Sequence, residues 1–178
     1  MSVSLVLTLI GEDRPGLVEL LSQTVAAHGG NWLESRMSRM AGRFAGILRA
    51  SVPVDEADAL SEALAALESR GLRVVVERST FDEPEAEVRP IYLDLVGADR
   101  PGIIRDISRA LALRQVNVDE LRTECTSAPM SGEILFNARA KLRVPLDTAV
   151  EDLCEALEQI AGDLMVDITL GDVPEGDV

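Results

Sequence analysis

Aromatic side chains and cysteines are scarce in this sequence of 178 residues. Phe, Trp and Tyr together make up only 3% of the chain, so the core must be built mostly from Val, Leu, Ile and Ala. Two cysteines, Cys125 and Cys154, are too few for a disulfide framework, and we expect both to be reduced residues in or beside the core. The apolar fraction of 47% still permits a sizeable core, which argues against disorder.

The chain contains a single histidine, His28. A multi-histidine metal site is therefore excluded, and any Ser-His-Asp or Cys-His catalytic set would need this one residue. No phosphate-binding loop, dinucleotide fingerprint or calcium-loop spacing occurs either. His28 precedes Gly29 and Gly30, where we expect a helix to end and a partial positive charge to suit the helix dipole. We expect no enzymatic activity, no metal and no cofactor.

Long apolar runs and positive charge are also lacking. No stretch approaches the roughly 20 apolar residues that span a bilayer, and the N-terminus has neither a basic region nor a signal-type apolar segment. We therefore expect a cytoplasmic protein. The formal net charge is −14, and both halves of the chain are acidic. Because neutralising phosphates supplies most non-specific nucleic-acid affinity, direct binding to nucleic acid or to an anionic membrane is disfavoured.

One motif occurs twice, 86 residues apart. Residues 11–16 read GEDRPG and residues 97–102 read GADRPG, and an asparagine follows at the same distance in both copies. Further along, the offset becomes 92 because six extra residues fall around 126–132, a Ser/Pro/Gly cluster that predicts a longer hairpin loop. Two copies that differ in length only at a turn indicate a duplicated domain.

Each copy predicts the element order β-α-β-β-α-β. In the first copy, the first strand is predicted from an apolar alternation, Val3, Leu5, Leu7 and Leu9. The helix after the motif is predicted from an apolar stripe, Leu17, Leu20, Leu21 and Val25. A second helix is predicted over 55–70, ended by Gly71, and Gly162 is expected to end its counterpart. The fold class is α+β, with two ferredoxin-like domains in tandem, each an antiparallel sheet with its helices on one face.

The predicted organisation is a first domain over 1–79, a linker over 80–90, a second domain over 91–171 and a flexible tail over 172–178. The linker is acidic and bracketed by prolines, and the tail is polar. A four-stranded sheet of this kind leaves an edge and one face to be covered. We therefore expect a homodimer.

The repeated turn has the features of an anion site. A strand that enters a helix through a glycine turn presents unpaired backbone N–H groups at the positive end of the helix dipole, which favours carboxylates and phosphates. Pro15 and Pro101 are expected in the first helical turn, and Asp13 and Asp99 are expected to cap its free amides.

Two further positions complete the predicted site. Gly16 and Gly102 lack a Cβ, which lets a ligand or a neighbouring backbone approach. Asn31 and Asn117 open the second strand of each copy, and we expect them near the same end of the unit as the turn. Backbone N–H groups for a carboxylate and an amide oxygen for an ammonium would suit a small amino acid. The alternative is that the glycines only make a tight turn and the asparagines only cap it.

With GEDRPG or GADRPG at the start of a β-α-β-β-α-β unit, and GGNW or QVNV after the helix, the chain resembles the ACT domain, a small regulatory module of amino-acid metabolism. The resemblance covers about residues 3–79 and 91–171. It implies side-by-side pairing of domains and an amino-acid effector held by the first turn and by the residue that opens strand two. The positions implied are Gly11, Asp13, Arg14, Pro15, Gly16, Leu17 and Asn31, and Gly97, Asp99, Arg100, Pro101, Gly102, Ile103 and Asn117.

A pair of such domains without any other domain resembles the glycine cleavage system transcriptional repressor family. That resemblance implies a regulator that senses a small, glycine-like amino acid and acts by contact with an activator protein instead of DNA. Two alternatives stay open at this stage: a ligand-free protein interaction module, and a regulatory partner of an enzyme of amino-acid metabolism. The copies also differ around the motif, with Glu12 against Ala98 and Trp32 against Val118, so the two sites need not share affinity or ligand.

Overall fold

The computed structural model describes residues 1–79, 87–128 and 132–171. The chain divides into two compact units, residues 1–82 and 83–178. Both have the predicted order β-α-β-β-α-β, so the α+β fold class of two ferredoxin-like domains is confirmed. Part of the predicted linker, 80–86, and the predicted tail, 172–178, lie outside the described residues, and β5 begins at Val88, within the stretch 80–90.

The first unit consists of four strands and two main helices. Its elements are β1 (Ser2–Glu12), α1 (Leu17–Ala27), β2 (Asn31–Met40), β3 (Arg43–Pro53), α2 (Ala57–Ala66) and β4 (Leu72–Ser79), with short 3₁₀ helices at Val54–Glu56 and Leu67–Arg70 on either side of α2. The strand order is β2-β3-β1-β4, and all neighbours are antiparallel. The predicted helix over 55–70 is thus an α-helix with a 3₁₀ turn at each end.

The second unit repeats this arrangement. Its elements are β5 (Val88–Ala98), α3 (Ile103–Leu113), β6 (Asn117–Ser127), β7 (Ile134–Pro145), α4 (Val150–Leu164) and β8 (Val166–Gly171). The strand order is β6-β7-β5-β8. Gly162 does not end its helix: α4 continues to Leu164, and Met165 makes the left-handed turn. A helix interior tolerates one glycine at a cost of about 1 kcal/mol, which neighbouring apolar contacts offset.

Each unit has its own core between the sheet and its helices. Alternate residues of β1, namely Leu5, Leu7 and Leu9, are at most 1% exposed, whereas Thr8 and Ile10, which follow Leu7 and Leu9, are exposed. The four α1 residues predicted as a stripe are all buried: Leu17, Leu20, Leu21 and Val25. One sheet face therefore packs under the helices and the other is free of them, as the period-2 and period-3.6 patterns predict.

The expectations for His28 and for the two cysteines have different outcomes. His28 ends α1 as predicted, and its Nδ1 lies 3.0 Å from the carbonyl oxygen of Thr24. Both cysteines are free, but Cys125 is exposed on β6 and only Cys154 is half-buried. The expectation of a core position for Cys125 is therefore wrong, because β6 is an edge strand whose residues beyond Glu120 are exposed.

Both edge strands β2 and β6 are interrupted at the same place. The register shifts between Trp32 and Glu34 in β2 and between Val118 and Glu120 in β6. In each case one residue, Leu33 or Asp119, has no partner in the ladder, which is the definition of a β-bulge.

Candidate functional site

The repeated motif connects the first strand of each unit to its first helix. Gly16 and Gly102 are the N-cap residues and adopt the left-handed conformation, with φ of 90° and 103°. The prolines precede the N-cap and do not enter the first helical turn, so that prediction is wrong. A left-handed N-cap requires glycine, because an L side chain there would clash with its own backbone.

The predicted capping by Asp13 and Asp99 is also wrong. Neither N-cap receives a side-chain hydrogen bond. The backbone N–H groups of the two aspartates instead donate to the carbonyls of Gly42 and Ile134, both at 3.0 Å, and this fixes each turn against the β2–β3 connection or the start of β7. Among the described residues, the first backbone N–H groups of α1 and α3 have no intrahelical or side-chain partner, which leaves the anion-binding geometry in place.

The first glycine of the motif is required for packing. A Cβ on Gly11 would stand 2.7 Å from the carbonyl oxygen of Gly71, and a Cβ on Gly97 would stand 2.4 Å from Cγ1 of Val166. Both distances are well below van der Waals contact, so any larger residue would push the neighbouring edge strand away. The apolar residues after the motif, Leu17 and Ile103, are likewise core residues, 4% and 2% exposed.

The motif arginine reaches the end of the second helix. Arg14 donates from Nη2 to the carbonyl oxygen of Arg70, the last residue of the 3₁₀ turn after α2. Arg100 points to the same place in the second unit, where its Nη2 lies 3.9 Å from Sδ of Met165. A cation at a helix C-terminus complements its partial negative charge. Both arginines thus have a structural partner.

The motif aspartates differ between the units. Asp13 forms an ion pair with Arg39 at 2.6 Å, and its side chain is 33% exposed. Position 125 is the counterpart of 39 and carries a cysteine. Among the residues that the structure describes, the Asp99 carboxylate has no side-chain partner.

Asn31 and Asn117 open β2 and β6 as predicted, but they lie at the opposite end of the sheet from the turn of their own unit. Asn31 pairs with Ser51, which pairs with Ser4, whereas Gly11 pairs with Phe44. Ser4 and Gly11 are seven residues apart on β1, which is roughly 20 Å. The expectation that both groups meet at one end of a unit is therefore wrong, because α1 returns the chain antiparallel to β1.

Surface depressions lie in both units of the described structure. One of about 420 Å³ adjoins the first turn and is lined by Glu12, Arg14, Ser69, Arg70 and Gly71. Sequence reasoning missed its far wall, since only the fold brings the end of the second helix to the motif. The other, of about 620 Å³, lies in the second unit between the end of α3 and the start of α4. Within the described ranges, His, Cys, Asp and Glu side chains form no cluster suited to a metal ion.

The second turn is covered by side chains of its own helix. Arg105 makes a bidentate ion pair with Asp106, at 2.8 and 3.1 Å, and its Nη2 lies 3.0 Å from where a Cβ on Gly102 would stand. The hydrogen bond from Arg105 lowers the pKa of Asp106 below its ordinary value, assisted by the charges of Arg105 and Arg109. The same bond raises the pKa of Arg105. Around Gly16, a Cβ would meet no atom of a described residue within 4 Å, apart from its chain neighbours.

No helix in the described part of the chain has both the length and the apolar character needed to cross a membrane. Residues 4–77 match the family model of the ACT domain. A phosphoserine phosphatase, SerB2 of Mycobacterium tuberculosis, is 29% identical over 177 residues, which is 96% of this chain and 41% of the phosphatase. The chain therefore spans less than half the length of that curated relative.

Two solved structures are similar over nearly the whole chain. A crystal structure of an unknown protein from Galdieria sulphuraria has a TM-score of 0.83 and 28% identity, covering 98% of this chain and 100% of that one. A putative glycine cleavage system transcriptional repressor has a TM-score of 0.73 and 19% identity, with 98% and 99% covered, and shares the fold. The ACT-domain match covers the first repeat, residues 4–77, and the second unit repeats the topology and the motif of the first.

Proposed function

We propose that this protein is a regulator that binds a small, glycine-like amino acid at the repeated turn and controls a partner protein by direct contact. The observation that carries the proposal is the first turn, where the amides that open α1 have no side-chain cap and the space above Gly16 is open. A carboxylate placed there would meet free N–H donors and the positive end of the helix dipole.

The asparagines can contact the same ligand as the turn only under one condition. Because Asn31 and the turn of its unit lie at opposite ends of the sheet, a ligand that touches both kinds of group must take them from two different copies of the unit. An ammonium group would then meet an amide oxygen from one copy while its carboxylate meets the amides of the other. The remaining motif residues, Gly11, Arg14 and Leu17 with their counterparts, support the turn without touching the ligand.

Regulation requires that the ligand binds one arrangement of the protein better than another, since equal affinity for both shifts nothing. The partner we propose is a transcriptional regulator of glycine cleavage, and the fold shared with a putative glycine cleavage system transcriptional repressor supports this choice. The net charge of −14 argues for contact with that protein instead of with DNA. We propose a cytoplasmic homodimer without catalytic activity.

The test is calorimetric titration of the purified chain with glycine, alanine, serine and a wider amino-acid panel, with thermal unfolding in parallel. A ligand at 100 times its Kd stabilises the folded state by about 2.7 kcal/mol. Saturable binding of one small amino acid supports the proposal. No heat and no shift in melting temperature with any amino acid would contradict it and would favour the ligand-free interaction module.

Val18 offers a matched pair of variants for this test. It is the second residue of α1 and is 47% exposed. Val18→Glu adds a carboxylate at the helix N-terminus, which suits the helix dipole but competes with a ligand carboxylate for the same amides. We expect at least tenfold weaker amino-acid binding for Val18→Glu and little change for the uncharged Val18→Gln. Equal affinities for both would place the ligand elsewhere.

A second candidate is a regulatory partner of an enzyme of amino-acid metabolism. It is favoured by the match of nearly the whole chain to part of a phosphoserine phosphatase. Adding the purified chain to such a phosphatase, with and without the bound amino acid, tests it. A ligand-dependent change in the phosphatase rate would support this candidate over the transcriptional one.

A further inference from the structure

The two repeats carry the same motif, but the groups that would face a ligand are free in the first repeat and engaged by other side chains in the second. In the first repeat, apart from the chain neighbours Pro15 and Leu17, no described residue places an atom within 4 Å of a Cβ built on Gly16. The Asn31 side chain is exposed, and it has no hydrogen-bond partner among residues 1–79, 87–128 and 132–171. Both groups are thus available to a ligand.

In the second repeat, the turn is occupied by the ion pair of Arg105 and Asp106. The guanidinium stands over Gly102, and Oδ2 of Asp106 lies 3.6 Å from the Cβ position of that glycine. A carboxylate belonging to the chain itself therefore lies beside the position that a ligand carboxylate would take. The counterparts in the first repeat are Glu19, whose Oε1 accepts a hydrogen bond from Gln23 at 3.1 Å, and the buried Leu20.

The asparagine of the second repeat is engaged as well. Nδ2 of Asn117 lies 3.4 Å from Oδ1 of Asp119, and that carboxylate oxygen also accepts a hydrogen bond from Nε of Arg143 at 2.6 Å. Asp119 is the bulged residue of β6. Its counterpart in β2 is the exposed Leu33, and Ser51 takes the place of Arg143. Neither can reproduce the ion pair.

From these two independent contacts we propose that the repeats are unequal, with the first repeat open to the amino acid and the second closed by its own ion pairs. This rests on the proposed function and names which copy performs it. The motif aspartates differ in the other direction, since Asp13 is paired and Asp99 is not. The first repeat also carries the exposed Glu12 where the second has Ala98, so carboxylate repulsion beside the turn does not separate the two repeats.

Each exposed ion pair can oppose a competing ligand by up to about fivefold, and both together by up to about 25-fold. Calorimetry of the unmodified chain with the amino acid that binds should therefore give one ligand per chain at concentrations near the Kd. Because the turn and the asparagine of one unit lie at opposite ends of its sheet, the inference requires the first repeats of two chains to pair. Asn31→Ala should then weaken this binding, and Asn117→Ala should leave it unchanged. Two equal sites per chain, or loss of binding in Asn117→Ala alone, would overturn the inference and leave the proposed function standing.

The decisive variant gives the second repeat the residues of the first: Arg105→Glu with Asp106→Leu, and Asp119→Leu with Arg143→Ser. We expect a second ligand per chain, or a second site at least fivefold tighter. The matched control is Asp94→Leu with Arg139→Ser, which removes another exposed ion pair of the same unit, at 2.9 Å, from the helix-free sheet face. A gain in the control, or none in the decisive variant, would contradict the inference.

Two further arms keep the inference testable if the decisive variant does not fold. Leu33→Asp with Ser51→Arg is the reverse exchange in the first repeat, at positions that are not core, and should weaken binding at Asn31 at least fivefold. Unchanged binding there would count against the inference. Silence of the unmodified chain and every variant towards all amino acids would overturn the proposed function itself, together with this inference.

Discussion

Arg14 of the first turn donates a hydrogen bond to the carbonyl oxygen of Arg70, 56 residues further along the chain. This contact joins the start of α1 to the end of the second helical segment. The second unit has only the weak contact between Arg100 and the sulfur of Met165, at 3.9 Å. The same motif residue therefore stabilises the two units to different extents.

We expect Arg14→Ala to lower the free energy of unfolding of the first unit by no more than about 1 kcal/mol, because the lost hydrogen bond is exposed. Arg100→Ala should cost less than half of that, since thioether sulfur is a weak acceptor. Urea unfolding followed by circular dichroism measures both. A larger cost for Arg100→Ala would show that the sulfur contact has been misjudged.

The first glycine of the motif provides a prediction about packing. Gly97→Ala places a Cβ 2.4 Å from Cγ1 of Val166 and should destabilise the second unit by about 1–3 kcal/mol. Its control in the same unit is Gly162→Ala, where nothing lies within 4 Å and the helix interior should gain about 1 kcal/mol. Urea midpoints that move in opposite directions would bear this out, and midpoints that move together would refute the packing role.

Substitutions at Gly16 strain the backbone whether or not a ligand is bound. Gly16→Val would therefore change more than the space available to a ligand. With φ at 90°, a β-branched residue at Gly16 is strained by about 1–3 kcal/mol. We expect thermal stability to fall in the order Gly, Asn, Ala, Val at this position, because asparagine tolerates the left-handed region best after glycine. A valine variant as stable as the unmodified chain would exclude strain.

Asp106 provides a prediction about pH. Its pKa is lowered chiefly by the hydrogen bond from Arg105, so the ion pair is complete above the ordinary aspartate pKa and is lost as the pH falls through the lowered value. An NMR titration of the Asp106 carboxyl carbon should therefore give a midpoint below that of an ordinary aspartate. In Arg105→Ala the midpoint should rise towards the ordinary value. Identical midpoints in both proteins would show that the pair does not persist in solution.

The sequence predicted the fold well because the relevant signals are local and occur twice. The alternation of Leu5, Leu7 and Leu9 and the turn at Gly71 could both be predicted from the sequence. The end of α4 could not be predicted, because Gly162 lies inside a helix whose apolar stripe extends it two residues further, to Leu164.

The candidate site could be predicted only in part. The motif located the turn, but whether Asp13 caps a helix or pairs with Arg39 depends on where β2 lies, and spacing along the chain does not contain that information. Asn31 was assigned to the correct position in β2 and to the wrong end of the unit. The end of the unit at which Asn31 lies depends on the direction in which α1 returns the chain. That direction follows from the topology and not from the residues themselves.

The bulges at Leu33 and Asp119 limit how either edge strand can be extended by a neighbour. Each bulge leaves one residue without a partner in β3 or β7. The alternation of N–H and C=O groups that face away from the sheet is therefore interrupted at the bulge. A foreign strand could hydrogen-bond continuously only along 34–40 or 120–127 and would have to stop short of Asn31 or Asn117. Any sheet that grows across these edges therefore leaves the two asparagines outside the new ladder, with their amides accessible to small molecules.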